Sequence, residues 1–251
     1  MQTVTSTDGT SIAYEDHGDG HPLVLLHGGS ATRHAWEPLR RALGPEFRFV
    51  VPDRRGRGDS GDAAAYSLAR EVADLRAVLD DIDGDVSVFG HSYGAVVALE
   101  TARETDIDRL VLYEPPVPVG DRDTDDLTGR LREHCVAGDR VGAMKLFYRE
   151  EVGIPDPERL PVWPDGIDFA LADTVLREQA ALDAYELPEA PDIDSPVALL
   201  TGEQSAPHLR GAAQELETRL PESRLVEVDA GHVGIQSAPD SVAAALSDLG
   251  Q

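Results

Sequence analysis

The sequence predicts an α/β fold with a mostly parallel sheet, and three observations carry that prediction. Short continuous apolar runs, the pattern of strands buried on both faces, recur along the chain and alternate with helical patterns. One run, Val86 to Gly90, passes through Gly90-His91-Ser92-Tyr93-Gly94 straight into an Ala- and Val-rich helical stretch. The length of 251 residues, 41% of them hydrophobic, suits one large α/β domain with a small insertion.

Taken in order, Gln2 to Thr5 and Ser11 to Tyr14 alternate around Asp8-Gly9, which predicts an antiparallel edge hairpin. Pro22 precedes Leu23-Val24-Leu25-Leu26, a central parallel strand ending in His27-Gly28-Gly29-Ser30. A helix over about 33–43 leads to a strand over 47–52. The loop Asp53-Arg54-Arg55-Gly56-Arg57-Gly58-Asp59-Ser60 follows; no Gly-Lys-Ser/Thr accompanies it, so its arginines do not read as a phosphate loop. Leu68, Val72, Leu75, Val78, Leu79 and Ile82 mark one face of a helix over 67–82.

At Ser92 a strand-to-helix corner forces a strained turn. A Cβ at Gly90 or Gly94 would clash with neighbouring backbone, and the turn exposes the hydroxyl at the carboxyl edge of the sheet. The next backbone N–H groups, at a helix N-terminus, face whatever joins that hydroxyl. Asp108 to Glu114 is the next strand, stopped by Pro115-Pro116. From 115 to 195 prolines cluster and helical patterns appear at about 124–137, 139–152 and 168–185. A strand over 196–202, a helix over 207–220, a strand over 224–228 and a last helix over 239–249 complete the pattern.

The corner at Ser92 resembles the nucleophile elbow of the α/β-hydrolase superfamily. Three further matches follow in the family's order. His27-Gly28-Gly29 is similar to its oxyanion loop. The Asp53 to Ser60 stretch is similar to its Asp-x-Arg-Gly-x-Gly-x-Ser loop. Gly231-His232, after the last strand, is similar to its catalytic histidine loop. The resemblance implies an eight-stranded, mostly parallel sheet with helices on both faces. It implies a core of 1–114 and 196–251, with a helical cap at 115–195 inserted after the sixth strand. It also implies Ser92 as nucleophile, His232 as base, and Gly29 and Tyr93 as backbone oxyanion donors. His27 and the arginines after Asp53 take structural roles in that family. Phe147, Tyr148, Trp163 and Phe169 are the aromatic candidates for lining the pocket or packing the cap.

The third triad member departs from the usual pattern. The family's Gly-x-x-Asp turn reads Gly202-Glu203-Gln204-Ser205 here, and a serine cannot stabilise an imidazolium by charge. Two carboxylates compete for the role. Glu114 ends the sixth strand, where some members such as certain haloalkane dehalogenases place their acid, and it ranks ahead of Glu203. The implied activity is cofactor-free and metal-free hydrolysis of a small carboxylic ester by an acyl-enzyme. A thioesterase, lactonase, acyltransferase or carbon–carbon hydrolase would share every residue named. A non-catalytic binding or signalling member of the fold is the rival of another class. Serine at the elbow argues against haloalkane dehalogenase and epoxide hydrolase chemistry.

Charge bounds the setting. The formal net charge is −25, from 47 acidic against 22 basic residues, and Lys145 is the one lysine. This pattern resembles proteins of salt-accumulating organisms, since dissolved salt screens such self-repulsion. Nucleic acid is a poor partner for so negative a chain. The polar start from Met1 to Asp8 has no signal-peptide pattern, no run suits a membrane span, and Cys135, in a helical stretch, has no cysteine to pair with. A cytoplasmic protein acting on a small molecule is the expectation.

Overall fold

The computed structural model describes residues 1–119, 126–160 and 162–249. Among these residues the chain forms an eight-stranded sheet: β1 (Gln2–Thr5), β2 (Ser11–His17), β3 (His21–Leu26), β4 (Phe47–Pro52), β5 (Ser87–His91), β6 (Arg109–Tyr113), β7 (Val197–Gly202) and β8 (Arg224–Val228). The spatial order is β1-β2-β4-β3-β5-β6-β7-β8. β2 pairs antiparallel with β1 and β4; every other pairing is parallel. The predicted edge hairpin and parallel core are therefore both present.

The helices are α1 (Glu37–Leu43), α2 (Leu68–Leu79), α3 (Tyr93–Ala102), α4 (Leu127–Val136), α5 (Arg140–Glu150), α6 (Ala172–Asp183), α7 (Pro207–Arg219), the single turn α8 (Gly234–Ser237) and α9 (Pro239–Leu249). Strand side chains alternate between two apolar layers, as a period of two requires. In β3, Val24 and Leu26 join residues of α2, α3 and α7, whereas Leu23 and Leu25 join residues of α1 and α9. Both faces of the sheet are thereby covered, which is why its central strands read as continuous apolar runs.

The segment between β6 and β7 is helical, as expected, and carries an apolar cluster of its own around Leu131, Met144, Phe147 and Val175. Its helices are shorter than the periodicity suggests. Asp126 and Asp139 cap α4 and α5 by accepting from the N–H groups of Gly129 and Gly142, so each helix starts after its cap. The first two residues of the expected helix over 124–137 lie outside the described residues. A short 3₁₀ turn over Phe169–Leu171 precedes α6, trimming the expected start at 168. No helix among the described residues is long and apolar enough to cross a membrane.

The strand order reverses between β3 and β5. In an open α/β sheet that is where a crevice forms beyond the carboxyl ends of the strands. Gly28 and Gly29 follow β3, Ser92 follows β5, Glu114 follows β6 and His232 lies beyond β8, so one sheet edge gathers them all.

Candidate active site

Ser92 occupies the corner between β5 and α3 at φ 54° and ψ −127°, a conformation that costs a non-glycine residue energy and persists only where its surroundings hold it. Its N–H donates to the Tyr113 carbonyl (2.9 Å) and its carbonyl accepts from Ala95 N–H (2.8 Å), so both neighbouring elements fix the turn. The expected reason for the two glycines is borne out. A Cβ on Gly90 would enter the backbone of Ala95, and one on Gly94 would meet the carbonyls of Leu26 and His27.

His232 is brought to Ser92 by the loop after β8. Both residues are nearly buried, 6% and 7% exposed, and both line a cavity of about 330 Å³. His232 Nδ1 lies 2.7 Å from Oε2 of Glu114. The other carboxylate oxygen, Oε1, accepts from Gly202 N–H (2.7 Å) and Thr201 Oγ1 (3.0 Å). Glu114 is fully buried. Burial pushes its carboxyl upward, but the hydrogen bond and charge of His232 and the donors at Ser205 and Gly202 outweigh it, holding the group below the usual carboxylate range. The Ser205 hydroxyl acts on Glu114 through its proximity, since its Oγ is buried without a well-formed hydrogen bond.

Between the two candidate acids, the geometry therefore favours Glu114. Glu203 is exposed, and its N–H is tied to the Val228 carbonyl across the sheet edge. Its side chain stands two residues before the position from which the usual acid would reach the histidine. Glu114 reaches it because its own backbone takes φ 47°, turning the chain at the end of β6 toward β7.

Gly29 follows β3, and Tyr93 follows Ser92 as the first residue of α3. Both residues border a small recess of about 10 Å³ beside Ser92, room for about one water. Phe147 and Tyr148 line the larger cavity as expected. Trp163 and Phe169 do not. They pack edge-to-face on each other with ring centroids 5.2 Å apart, at the margin of the helical segment's own cluster. An aromatic residue in an amphipathic segment signals burial without saying against what.

The fold match is decided by these placements together with the whole-chain comparison. A sequence model of the Alpha/beta hydrolase family matches residues 23–245. The chain belongs to that family. This alpha/beta hydrolase is 30% identical over 251 residues to a pimeloyl-[acyl-carrier protein] methyl ester esterase of Aromatoleum aromaticum, covering 90% of this chain and 97% of that protein. It is 28% identical over 253 residues to the protein of the same name from Nitrosomonas europaea, covering 95% and 99%. A solved alpha/beta hydrolase structure from Sphaerobacter thermophilus superposes with a TM-score of 0.86 at 36% identity over the whole of both chains.

Two features of this hydrolase escaped the sequence reading. The first is His91, on the strand side of Ser92. Its Nε2 lies 2.7 Å from the His232 carbonyl, and its ring lies against that of His232 at a tilt of 38° with centroids 4.8 Å apart. Burial, followed by the neighbouring His232, pushes its pKa down to about 3, so it is neutral. A carbonyl only accepts, so Nε2 carries the proton and Nδ1 is a lone pair. The second is the set of contacts made by Arg54 and Arg57. The sequence predicts a structural turn for that loop, and Asp53 serves one: it accepts from Arg33 N–H and Asp59 N–H. Its arginines reach further, into the His27-Gly28-Gly29 loop.

Proposed function

We propose that this protein is a serine hydrolase that cleaves small, uncharged carboxylic esters through an acyl-enzyme. The observation that carries the reading is the buried pair of Glu114 and His232 beside a strained Ser92. His232 has one nitrogen held by the carboxylate, which leaves Nε2 as the basic lone pair facing a shared cavity. In the proposed reaction His232 Nε2 takes the proton of Ser92 Oγ as that oxygen attacks the ester carbonyl carbon. The carbonyl π electrons move onto oxygen, where the N–H groups of Gly29 and Tyr93 would stabilise the charge. Collapse of the tetrahedral species breaks the bond to the alkoxy oxygen, which leaves as alcohol with the proton from His232. Water then gives a proton to His232 and attacks the acyl-serine; collapse breaks the bond to Ser92 Oγ, which takes the proton back from His232 as the acid leaves. Glu114 stays ionised throughout and stabilises the imidazolium.

The substrate class follows from the cavity. Phe147, Val152, Leu160, Leu171 and Ile235 supply apolar wall, and among the described residues no lysine or arginine lines it. A free carboxylate on the acyl chain would have to be desolvated there without a cationic partner, which is costly. The methyl ester esterases to which this chain is similar support ester chemistry in general; the acyl group they are named for is not carried over. The helical segment over 115–195 would act as a cap, since Phe147 and Leu171 belong to it and line the same cavity as Ser92.

We further propose that the acidic composition is an adaptation to high salt inside a cell, where the single Cys135 would stay reduced. The function is tested with an alkyl fluorophosphonate probe and p-nitrophenyl acetate. Covalent labelling should map to Ser92, and Ser92→Ala and His232→Ala should each abolish turnover with unchanged circular dichroism. A folded Ser92→Ala variant that keeps more than a small fraction of activity, or labelling elsewhere, would overturn the assignment.

A further inference from the structure

The Gly28–Gly29 peptide carries the N–H proposed above as an oxyanion donor, and a peptide between two glycines meets little steric resistance to flipping. What holds its orientation is a chain of buried groups. His27 Nε2 accepts from Arg54 N–H (3.1 Å), so the ring proton sits on Nδ1, which donates to the Gly28 carbonyl (2.9 Å). Arg54 Nη1 donates to the same carbonyl (3.2 Å) and to that of His27 (3.3 Å). Arg57 Nε donates to the Gly29 carbonyl (3.0 Å). In a planar trans peptide C=O and N–H point in opposite directions. Holding the Gly28 oxygen against Arg54 and His27 therefore turns Gly29 N–H the other way, toward the recess beside Ser92.

The two guanidinium groups are held in turn by carboxylates. Glu71, on α2 of the core, pairs with Arg54 at 2.7 and 3.0 Å. Oε1 of Glu178, on α6 of the helical segment, accepts from both Arg54 and Arg57. All four residues are at most 3% exposed, and two positive charges balance two negative ones. Glu178 also abuts the loop itself: a Cβ on Gly29 would stand 3.1 Å from Glu178 Oε2. We infer that Glu178 is a positioning residue, which sets the direction of the Gly29 N–H through Arg54 and Arg57 and makes a formed oxyanion site depend on a seated helical segment. The inference rests on the serine hydrolase reading.

The test compares wild type, Glu178→Gln and Leu131→Ala, the last a cavity in the helical segment away from the arginines. The readouts are kcat and KM on p-nitrophenyl acetate and hexanoate, and the inhibition constant of an aryl trifluoromethyl ketone, whose serine adduct places an oxyanion in the same site. Removal of an oxyanion donor costs ~10²–10³ in kcat, so a misdirected one should cost about ten- to a hundredfold. In Glu178→Gln that loss should fall equally on both esters with KM unchanged, and the ketone should weaken by the same factor. Leu131→Ala should lower the melting temperature and leave ketone affinity intact. A loss confined to KM for the longer ester, with unaltered ketone binding, would reduce Glu178 to packing and overturn the inference.

Glu178→Gln leaves an extra buried positive charge and can fail to fold. Glu178→Gln combined with Arg57→Gln removes one charge of each sign and carries the same expectation. A wild type that neither labels at Ser92 nor binds the ketone overturns the hydrolase reading together with this one. A labelled wild type with unaltered Glu178 variants overturns the positioning role alone.

Discussion

Replacing Glu114 by glutamine tests the proposed triad at its least obvious member. The two carboxylate oxygens have different partners. Oε1 accepts from Gly202 N–H and Thr201 Oγ1, while Oε2 faces His232 Nδ1. A glutamine in the same pocket must keep its carbonyl oxygen toward the two donors, since an amide NH₂ there would face the Gly202 N–H head-on. Its NH₂ then takes the place of Oε2 and donates to His232 Nδ1. That bond holds the imidazole with its proton on Nε2, the nitrogen needed as a base, and removes the charge that stabilises the imidazolium. The equivalent tautomer trap in a serine protease lowers kcat by about 10⁴, or about 5.5 kcal/mol of transition-state stabilisation. The assay is kcat for p-nitrophenyl acetate from pH 6 to 9, with Glu203→Gln as the control. Glu114→Gln should lose about 10³–10⁴ in kcat with KM little changed. Glu203→Gln, a change on an exposed side chain, should match wild type. A loss below about tenfold in a folded Glu114→Gln, or a larger loss in Glu203→Gln, would refute the tautomer argument.

Three further outcomes are expected. The melting temperature and activity should rise from low salt to molar potassium chloride, because the Debye length contracts from about 10 Å at 0.1 M to about 3 Å at 1 M; a flat or falling midpoint would reject the salt adaptation. In molar salt, stability should begin to fall below pH ~6.5, ahead of carboxylate titration. Burial holds His91 at about 3 and, aided by Arg54 and Arg57, His27 well below its usual value, so the unfolded chain binds protons that the folded chain refuses. Stability is then complete above the unfolded histidine value and declines beneath it, by up to about 1.4 kcal/mol per pH unit for each histidine. Urea midpoints that stay constant from pH 7 to 5, or a His91→Gln variant with an undiminished slope, would contradict this. Gly94→Ala should destabilise by about 1–3 kcal/mol by forcing α3 away from the β3 carbonyls, read from the same denaturation curves; an unchanged midpoint would show that the turn relaxes.

Legibility in the sequence divides along physical lines. The sheet was readable because strands covered on both faces need apolar centres, and Leu23–Leu26 in β3, Val88–Phe89 in β5, Leu110–Leu112 in β6 and Val197–Leu200 in β7 supply them. Ser92 and its glycines were readable because the turn's geometry restricts residue type at fixed spacing. Glu114 could be only a ranked candidate: its fitness depends on a positive φ and on donors from Thr201 and Gly202, 87 and 88 residues away. Trp163 and Phe169 show the converse, since apolar character fixes burial and leaves the neighbour open.

Glu178 was the least legible of all, lying 121 residues beyond Arg57 on a helix that buries two other polar side chains, Thr174 and Gln179. A signal did exist. Arg54 and Arg57 flank a glycine turn directly after a buried strand, at the sheet edge where the active-site loops converge. Guanidinium groups cannot lose their charge, so arginines buried there require carboxylates. The core offers Glu71 to Arg54 and Asp74 to Arg55, both on the buried face of α2. Arg57 is left without a core carboxylate among the described residues, so its partner had to come from the helical segment between β6 and β7. Charge accounting over a buried loop thus points to a residue of the helical segment between β6 and β7 where motif and periodicity do not, and the residue it points to is the one that lies against the loop beside Ser92.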